Sequence, residues 1–209
     1  MGGMFGCAFF GRGFRPFFLM GAAYATAMVP LWIYRLYAGA LASGPFEDSV
    51  AWHGHEMVYG FALAIVAGFL LTAVANWTAG APVRGVHLAA LCVLWLAGRI
   101  AMNVPLPLWF AGTIDLLFLP ALIVSLARPL WATRSVRNFV FLGMLGSLFG
   151  LDVWMVVGGA RPALYFAVLV IGAMIAVVGG RIVPAFTVAA LRRRGLAVLM
   201  TDQPFMLSL

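Results

Sequence analysis

Apolar residues gather into six long runs, and short breaks carrying proline, glycine or charge separate them. The pattern predicts helices over 17–37, 52–77, 86–102, 106–127, 138–157 and 163–186. The breaks read GPFEDS at 44–49, AGAP at 79–82, NVPLP at 103–107 and GGARP at 158–162. Proline removes a helical donor and glycine favours left-handed backbone, so both end helices. Runs of ~20 apolar residues match the thickness of a bilayer core, where a chain must satisfy its own backbone polar groups. The expected fold class is therefore all-α, a polytopic transmembrane helix bundle of about six spans, and 1–209 reads as a single transmembrane domain. Small residues recur every four positions at Gly60, Ala64 and Gly68, at Gly146 and Gly150, and at Gly172, Ala176 and Gly180. Such faces let helix backbones approach closely, so they are expected to look inward, and those of the second and sixth runs to support self-association.

Composition agrees: 65% of the 209 residues are hydrophobic and 9% are charged, against roughly 25% charged in a soluble domain. The net charge of +7 comes from arginine alone. Nine arginines (Arg12, Arg15, Arg84, Arg128, Arg134, Arg137, Arg192, Arg193 and Arg194) fall on one side of the predicted spans, and Arg161 alone on the other. Arg35, Arg99 and Arg181 lie within the runs. This asymmetry excludes a nucleic-acid partner in favour of membrane lipids, and by the positive-inside rule it puts both termini in the cytoplasm. The acidic pair Glu47 and Asp48 then faces outward. Cys7 and Cys92 imply no disulfide framework.

Polar groups in lipid are costly and need a partner or a role. With a rise of 1.5 Å per residue, Arg99, Asp152 and Asp115 fall about 5, 10 and 13 Å from the outer ends of their helices. His53, His55 and Glu56 open the second helix at that same surface. The outer half thus gathers two imidazoles, three carboxylates and one guanidinium, with Arg99 and Asp152 as an expected ion pair. Arg15, Asn76 and Arg181 fall toward the cytoplasmic side. In WHGHEM (52–57) the imidazoles suit a metal or haem iron. On a regular helix His53 shares the side of Gly60 and Ala64, while His55 points ~200° round. One helical face cannot offer both to one ion. Either the start of the helix is unwound, or the two serve different sites, or both are interfacial anchors. GGRIVPAFT (179–187) predicts a kink at Pro184. Its Arg181 suits a carboxylate or phosphate, or snorkels to the interface.

GFRPFF (13–18), WHGHEMVYGF (52–61), AGFLLTAVANWT (67–78), LWLAGR (94–99) and GGRIVPAFT occur in order. Together they resemble the NnrS family of bacterial membrane proteins. The resemblance implies an inner-membrane haem and copper protein of the nitric oxide response in denitrifying bacteria. It implies His53 and His55 as metal ligands, and Arg15, Arg99 and Arg181 as charges supporting a cofactor. Family members usually run longer and bring further histidines, so the resemblance implies an N-terminal half, expected to pair with a second copy or a second-half partner. The competing reading is a transporter-like or scaffold bundle whose histidines line a polar vestibule.

Overall fold

A computed structural model describes residues 8–38, 45–46, 48–158 and 161–195, and every regular element among them is helical. A 3-10 turn (Ala8–Gly11) leads into α1 (Phe14–Ala38). Next, α2 (Ser49–His55) runs through a π-helical turn (Glu56–Ala62) into α3 (Leu63–Trp77), forming one rod over Ser49–Trp77. Then come α4 (Gly85–Ala101), α5 (Leu108–Asp115), α6 (Phe118–Ala132), α7 (Phe139–Gly158) and α8 (Arg161–Arg193). Five rods are long and apolar enough to cross a membrane, and α4, with 17 residues, is a shorter apolar sixth. The predicted polytopic bundle is the observed fold.

Two elements depart from the sequence reading. The run predicted as one helix over 106–127 breaks at Leu116 and Leu117, between α5 and α6. Pro120 explains the break: it has no N–H to offer the Leu116 carbonyl, and its ring crowds that oxygen. The break leaves Asp115 as the last residue of α5. Conversely, α8 continues past Pro184 to Arg193 rather than ending near 186. Proline is tolerated inside membrane helices where neighbouring groups satisfy the freed carbonyl. Pro30 likewise lies inside α1 and Pro129 inside α6.

The rod Ser49–Trp77 forms the centre. Some 67% of its most apolar stretch is buried within the chain, against 11% for α1 and 22% for α8. Helix α1 lies along the π-turn and α3, α6 packs on α3, and α7 and α8 pair along their length. Lipid tails are as apolar as leucine, so close packing rather than hydrophobic force must hold such helices together. The glycine face of the central rod provides that closeness. A Cβ at Gly68 would lie 2.9 Å from the Phe18 ring, and one at Gly60 would lie 2.7 Å from the Tyr24 ring. This face therefore looks at α1. The expectation fails for the other two: a Cβ at Gly146, Gly150, Gly172 or Gly180 would meet nothing within 4 Å. Those residues open away from the packed interior, and α7 and α8 meet through other side chains.

Candidate metal centre

The start of α2 is fixed from two sides. Asp48 caps it by accepting from the backbone N–H groups of Val50 at 3.0 Å and Ala51 at 3.2 Å. Arg161, the first residue of α8, pairs with the same carboxylate. Four residues on, Trp52 donates its Nε1–H to the Met102 carbonyl at 3.1 Å, tying α2 to the end of α4. Beyond His55 the helix widens into the π-turn, a form often found where a helix must re-aim side chains. Trp95 braces that turn by donating to the Gly60 carbonyl at 3.1 Å.

The two histidines diverge, as the helical spacing demands. His53 shares the glycine face and turns to α1, where its ring stacks on Trp32 at 3.9 Å. His55 takes the opposite wall, which is the interior: it is fully buried, and so is Glu56 next to it. Phe46 and Tyr59 cover the His55 ring at centroid distances of 5.3 and 4.9 Å.

Around His55 the end of the bundle where α2 begins closes on itself. Its Nδ1 lies 2.9 Å from Glu56 Oε1, and its Nε2 lies 3.1 Å from Asp152 Oδ1 on α7. Asp115 Oδ2, at the end of α5, is 3.2 Å from the same Nε2 but accepts no hydrogen bond. Arg99, on α4, donates from Nη1 to Glu56 Oε1 at 2.8 Å and from Nη2 to Asp115 Oδ1. Tyr24, on α1, donates to Glu56 Oε2. Asn103 Nδ2 donates at 2.8 Å to both the Tyr24 hydroxyl and the Arg99 carbonyl. Gly98 makes room for the closure, because a Cβ there would stand 2.5 Å from Asp115 Oδ1. Arg99, Asp115 and Asp152 are at most 6% exposed. The grouping by depth was legible in the sequence, but the expected partner of Arg99 was not. Arg99 pairs with Glu56 and Asp115, and Asp152 belongs to His55. Tyr24 and Asn103 carry no comparable signal in the sequence, since neither is costly enough in lipid to stand out.

The chemistry of the set is unbalanced. A neutral imidazole carries one N–H, so it can donate to only one of the two sides it presents to carboxylates. With His55 neutral, three carboxylates face a single guanidinium, leaving two negative charges. His55, Asp115 and Asp152 each offer one ligand atom, all within 4.8 Å of one another. Metal bonds of about 2.1 Å require donor–donor edges of about 3.0 to 3.4 Å. The two edges from Nε2, at 3.1 and 3.2 Å, match that requirement.

Two of the arginines expected to support a cofactor lie elsewhere. Arg15 is exposed and donates to the Ala8 carbonyl at the start of α1. There α1 meets Thr72 through the Phe14 N–H, about 25 Å along the rod from His55. Arg181 holds Asn138 Oδ1 at 2.7 Å and the Arg137 carbonyl at 3.2 Å. It borders a cavity of about 520 Å³ lined by aromatic side chains, among them Phe14, Phe69 and Trp77. No histidine, cysteine or methionine lines that cavity.

Comparison with curated proteins and with solved structures gives no match. A profile of the NnrS protein family matches residues 8–207, nearly the whole chain. The chain therefore belongs to the NnrS family.

Proposed function

We propose that this chain is a metal-dependent inner-membrane protein of the bacterial nitric oxide response, with its metal held by His55, Asp115 and Asp152. One observation carries the reading. A fully buried imidazole meets two carboxylate oxygens at ligand spacing, in a cluster two positive charges short of neutrality. A divalent ion bound to a neutral His55 supplies those charges. Family membership supplies the link to nitric oxide. The arginine asymmetry supports an outward-facing centre.

The donors discriminate between the two groups that the family resemblance implies. One nitrogen and two hard oxygens suit Cu(II), Fe(II), Mn(II) or Zn(II), whereas Cu(I) prefers thiolate and thioether ligands. Copper therefore fits in its oxidised form. Haem does not fit at His55, because both ring nitrogens already face carboxylates and aromatic rings cover the imidazole. The cavity beside Arg181 offers haem no axial ligand from the residues that line it. Three protein ligands leave coordination positions open, and bound metal there supplies a place for nitric oxide or for electron transfer. The chain's own residues set the stage: Arg99 orients Glu56 and Asp115, and Glu56 orients the His55 ring through Nδ1. Losing such an orienting partner typically weakens metal binding ~10–100-fold. Association with a second copy or a second-half partner belongs to the same reading. Gly146 and Gly150 of α7 and Gly172 and Gly180 of α8 remain open for it, while Gly60 and Gly68 of the central rod are taken by α1.

The test is metal content per chain, with absorbance and electron paramagnetic resonance spectra, of protein loaded in mild detergent. We expect one divalent ion per chain, lost in His55→Ala, sharply weakened in Asp152→Asn and kept in His53→Ala. Undiminished metal in His55→Ala would overturn the assignment. A wild type that takes up neither Cu(II), Fe(II), Mn(II) nor Zn(II) would overturn the metal reading, leaving a proton-binding centre in a transporter-like bundle.

A further inference from the structure

A second polar site, built from different atoms, lies on the other wall of α2. Trp32 and Arg35, one turn apart on α1, face Trp52 and His53 on α2. The Trp32 and His53 rings stack 3.9 Å apart and 10° from parallel, and the Arg35 guanidinium lies 4.5 Å over the Trp52 ring. Three nitrogens in this small volume are buried with no hydrogen-bond partner: Trp32 Nε1, Arg35 Nη1 and His53 Nδ1. Buried donors are nearly always paired, and an unpaired one is costly. Two of the three can only donate. His53 Nδ1 becomes a third donor in the tautomer that carries its proton there. No carboxylate among the described residues pairs with Arg35. Asp48, close by in sequence, is already engaged by Arg161 and by two backbone N–H groups.

We propose that Trp32, Arg35 and His53 form a binding site for an oxyanion, a small carboxylate, nitrite or phosphate, at the end of the bundle where α1 gives way to α2. An oxyanion accepts from Trp32 and Arg35, and from His53 in the tautomer protonated at Nδ1, and it neutralises a guanidinium that otherwise lies over the Trp52 ring in a membrane-spanning helix. A water molecule could accept two of the bonds but would leave that charge unpaired. The aromatic side chains have their own place in this reading: the Trp52 ring lies against the Arg35 guanidinium, and the Trp32 and His53 rings stack beside them. The site is independent of His55, which lies across α2 with its own partners.

The anion can arrive free in water or as a lipid headgroup, and one set of proteins separates the two. Wild type, Arg35→Gln and Trp32→Phe are purified in chloride-free detergent buffer and stripped of lipid. Each is titrated calorimetrically with acetate, nitrite and phosphate, and co-purified phospholipid is counted before stripping. Saturable binding of at least one free anion, weakened about 10- to 100-fold in both variants, identifies a soluble ligand. Anionic phospholipid retained by wild type and lost from both variants identifies a headgroup. Metal content at His55 should be equal in all three proteins, which separates failure of this site from failure of the metal centre. If wild type neither binds a free anion nor retains anionic lipid, or if both variants match it, the site does not exist. Trp32→Phe keeps the aromatic packing and serves as the test should Arg35→Gln fold poorly.

Discussion

Replacing Arg99 by methionine tests whether the cluster around His55 acts as one electrostatic unit. The guanidinium holds Glu56 Oε1 at 2.8 Å and Asp115 Oδ1 beside it, in a setting where Arg99 is 3% exposed. Methionine fills similar space but leaves the carboxylates of Glu56, Asp115 and Asp152 with no compensating arginine. Removing one partner of a buried ion pair costs about 3 to 5 kcal/mol, because the remaining charge stays buried. Two charges 4 Å apart at an effective dielectric near 20 interact by about 4 kcal/mol, which supports the same range. For a chain of this size each kcal/mol moves the melting midpoint by about 2 to 4 °C. Arg99→Met should therefore melt roughly 6 to 20 °C below wild type. Circular dichroism in mild detergent reads the shift. The double variant Arg99→Met with Glu56→Gln removes one stranded charge and should recover part of the loss, with a coupling of about 0.5 to 3 kcal/mol. An Arg99→Met protein within about 1 kcal/mol of wild type, or strictly additive substitutions, would refute the cooperative cluster.

Gly98→Ala should cost about 1 to 3 kcal/mol by overpacking, since its Cβ would press on Asp115 Oδ1. Gly146→Ala, in open space, should stay within about 0.5 kcal/mol; thermal melts of the pair check the contrast. Asp48→Ala should cost about 1 kcal/mol at neutral pH through loss of the α2 cap. Burial raises the Asp48 carboxyl, but hydrogen bonds from Val50 and Ala51 and the Arg161 charge outweigh it and hold the group below the usual carboxylate range. A folded pKa below the unfolded one gives stability that is complete above about pH 4 and lost as pH falls through the folded value. The gap between wild type and Asp48→Ala should accordingly close on acidification, and a gap that widened would contradict the cap. Reporter fusions after Arg134 or Arg194 should read as cytoplasmic and one at Asp48 as external; the reverse pattern would overturn the orientation.

Much of this was legible because lipid makes polarity expensive. Asp115, Asp152, Arg99 and Glu56 stand out in apolar runs, and helical rise alone places them in one half of the bundle. What depth cannot give is azimuth. The neighbour that Asp152 faces depends on how α7 packs, so a suitable height alone suggests Arg99 as its partner, whereas the structure gives it His55. The break at Leu116 and Leu117 carried a signal in Pro120, yet proline is also tolerated within α1, α6 and α8. The π-turn carried none. It follows a chain that reads as helix throughout, and its consequence is that adjacent His55 and Glu56 both meet the interior. The small-residue pattern was informative only where large side chains on a neighbour could fill it. Phe17, Phe18 and Tyr24 do so for the central rod.

Helix α8 has a mechanical consequence. Its buried residues, Ala163, Leu164, Ala167 and Met174, all belong to its first half. Farther along, Arg181 clamps it to Asn138 and to the Arg137 carbonyl. Pro184 comes three residues after that clamp. At 1.5 Å per residue the helix measures about 50 Å, well beyond the ~30 Å of a hydrocarbon core. Its last turns, ending in Arg192 and Arg193, therefore form a cantilever: no residue after Met174 is buried among the described residues, and a weakened hydrogen-bond ladder lies just past the support. Bending at Pro184 breaks no buried contact among the described residues, so amide exchange should rise abruptly beyond it, and the arm can settle its arginines on an anionic leaflet without disturbing the bundle that holds His55.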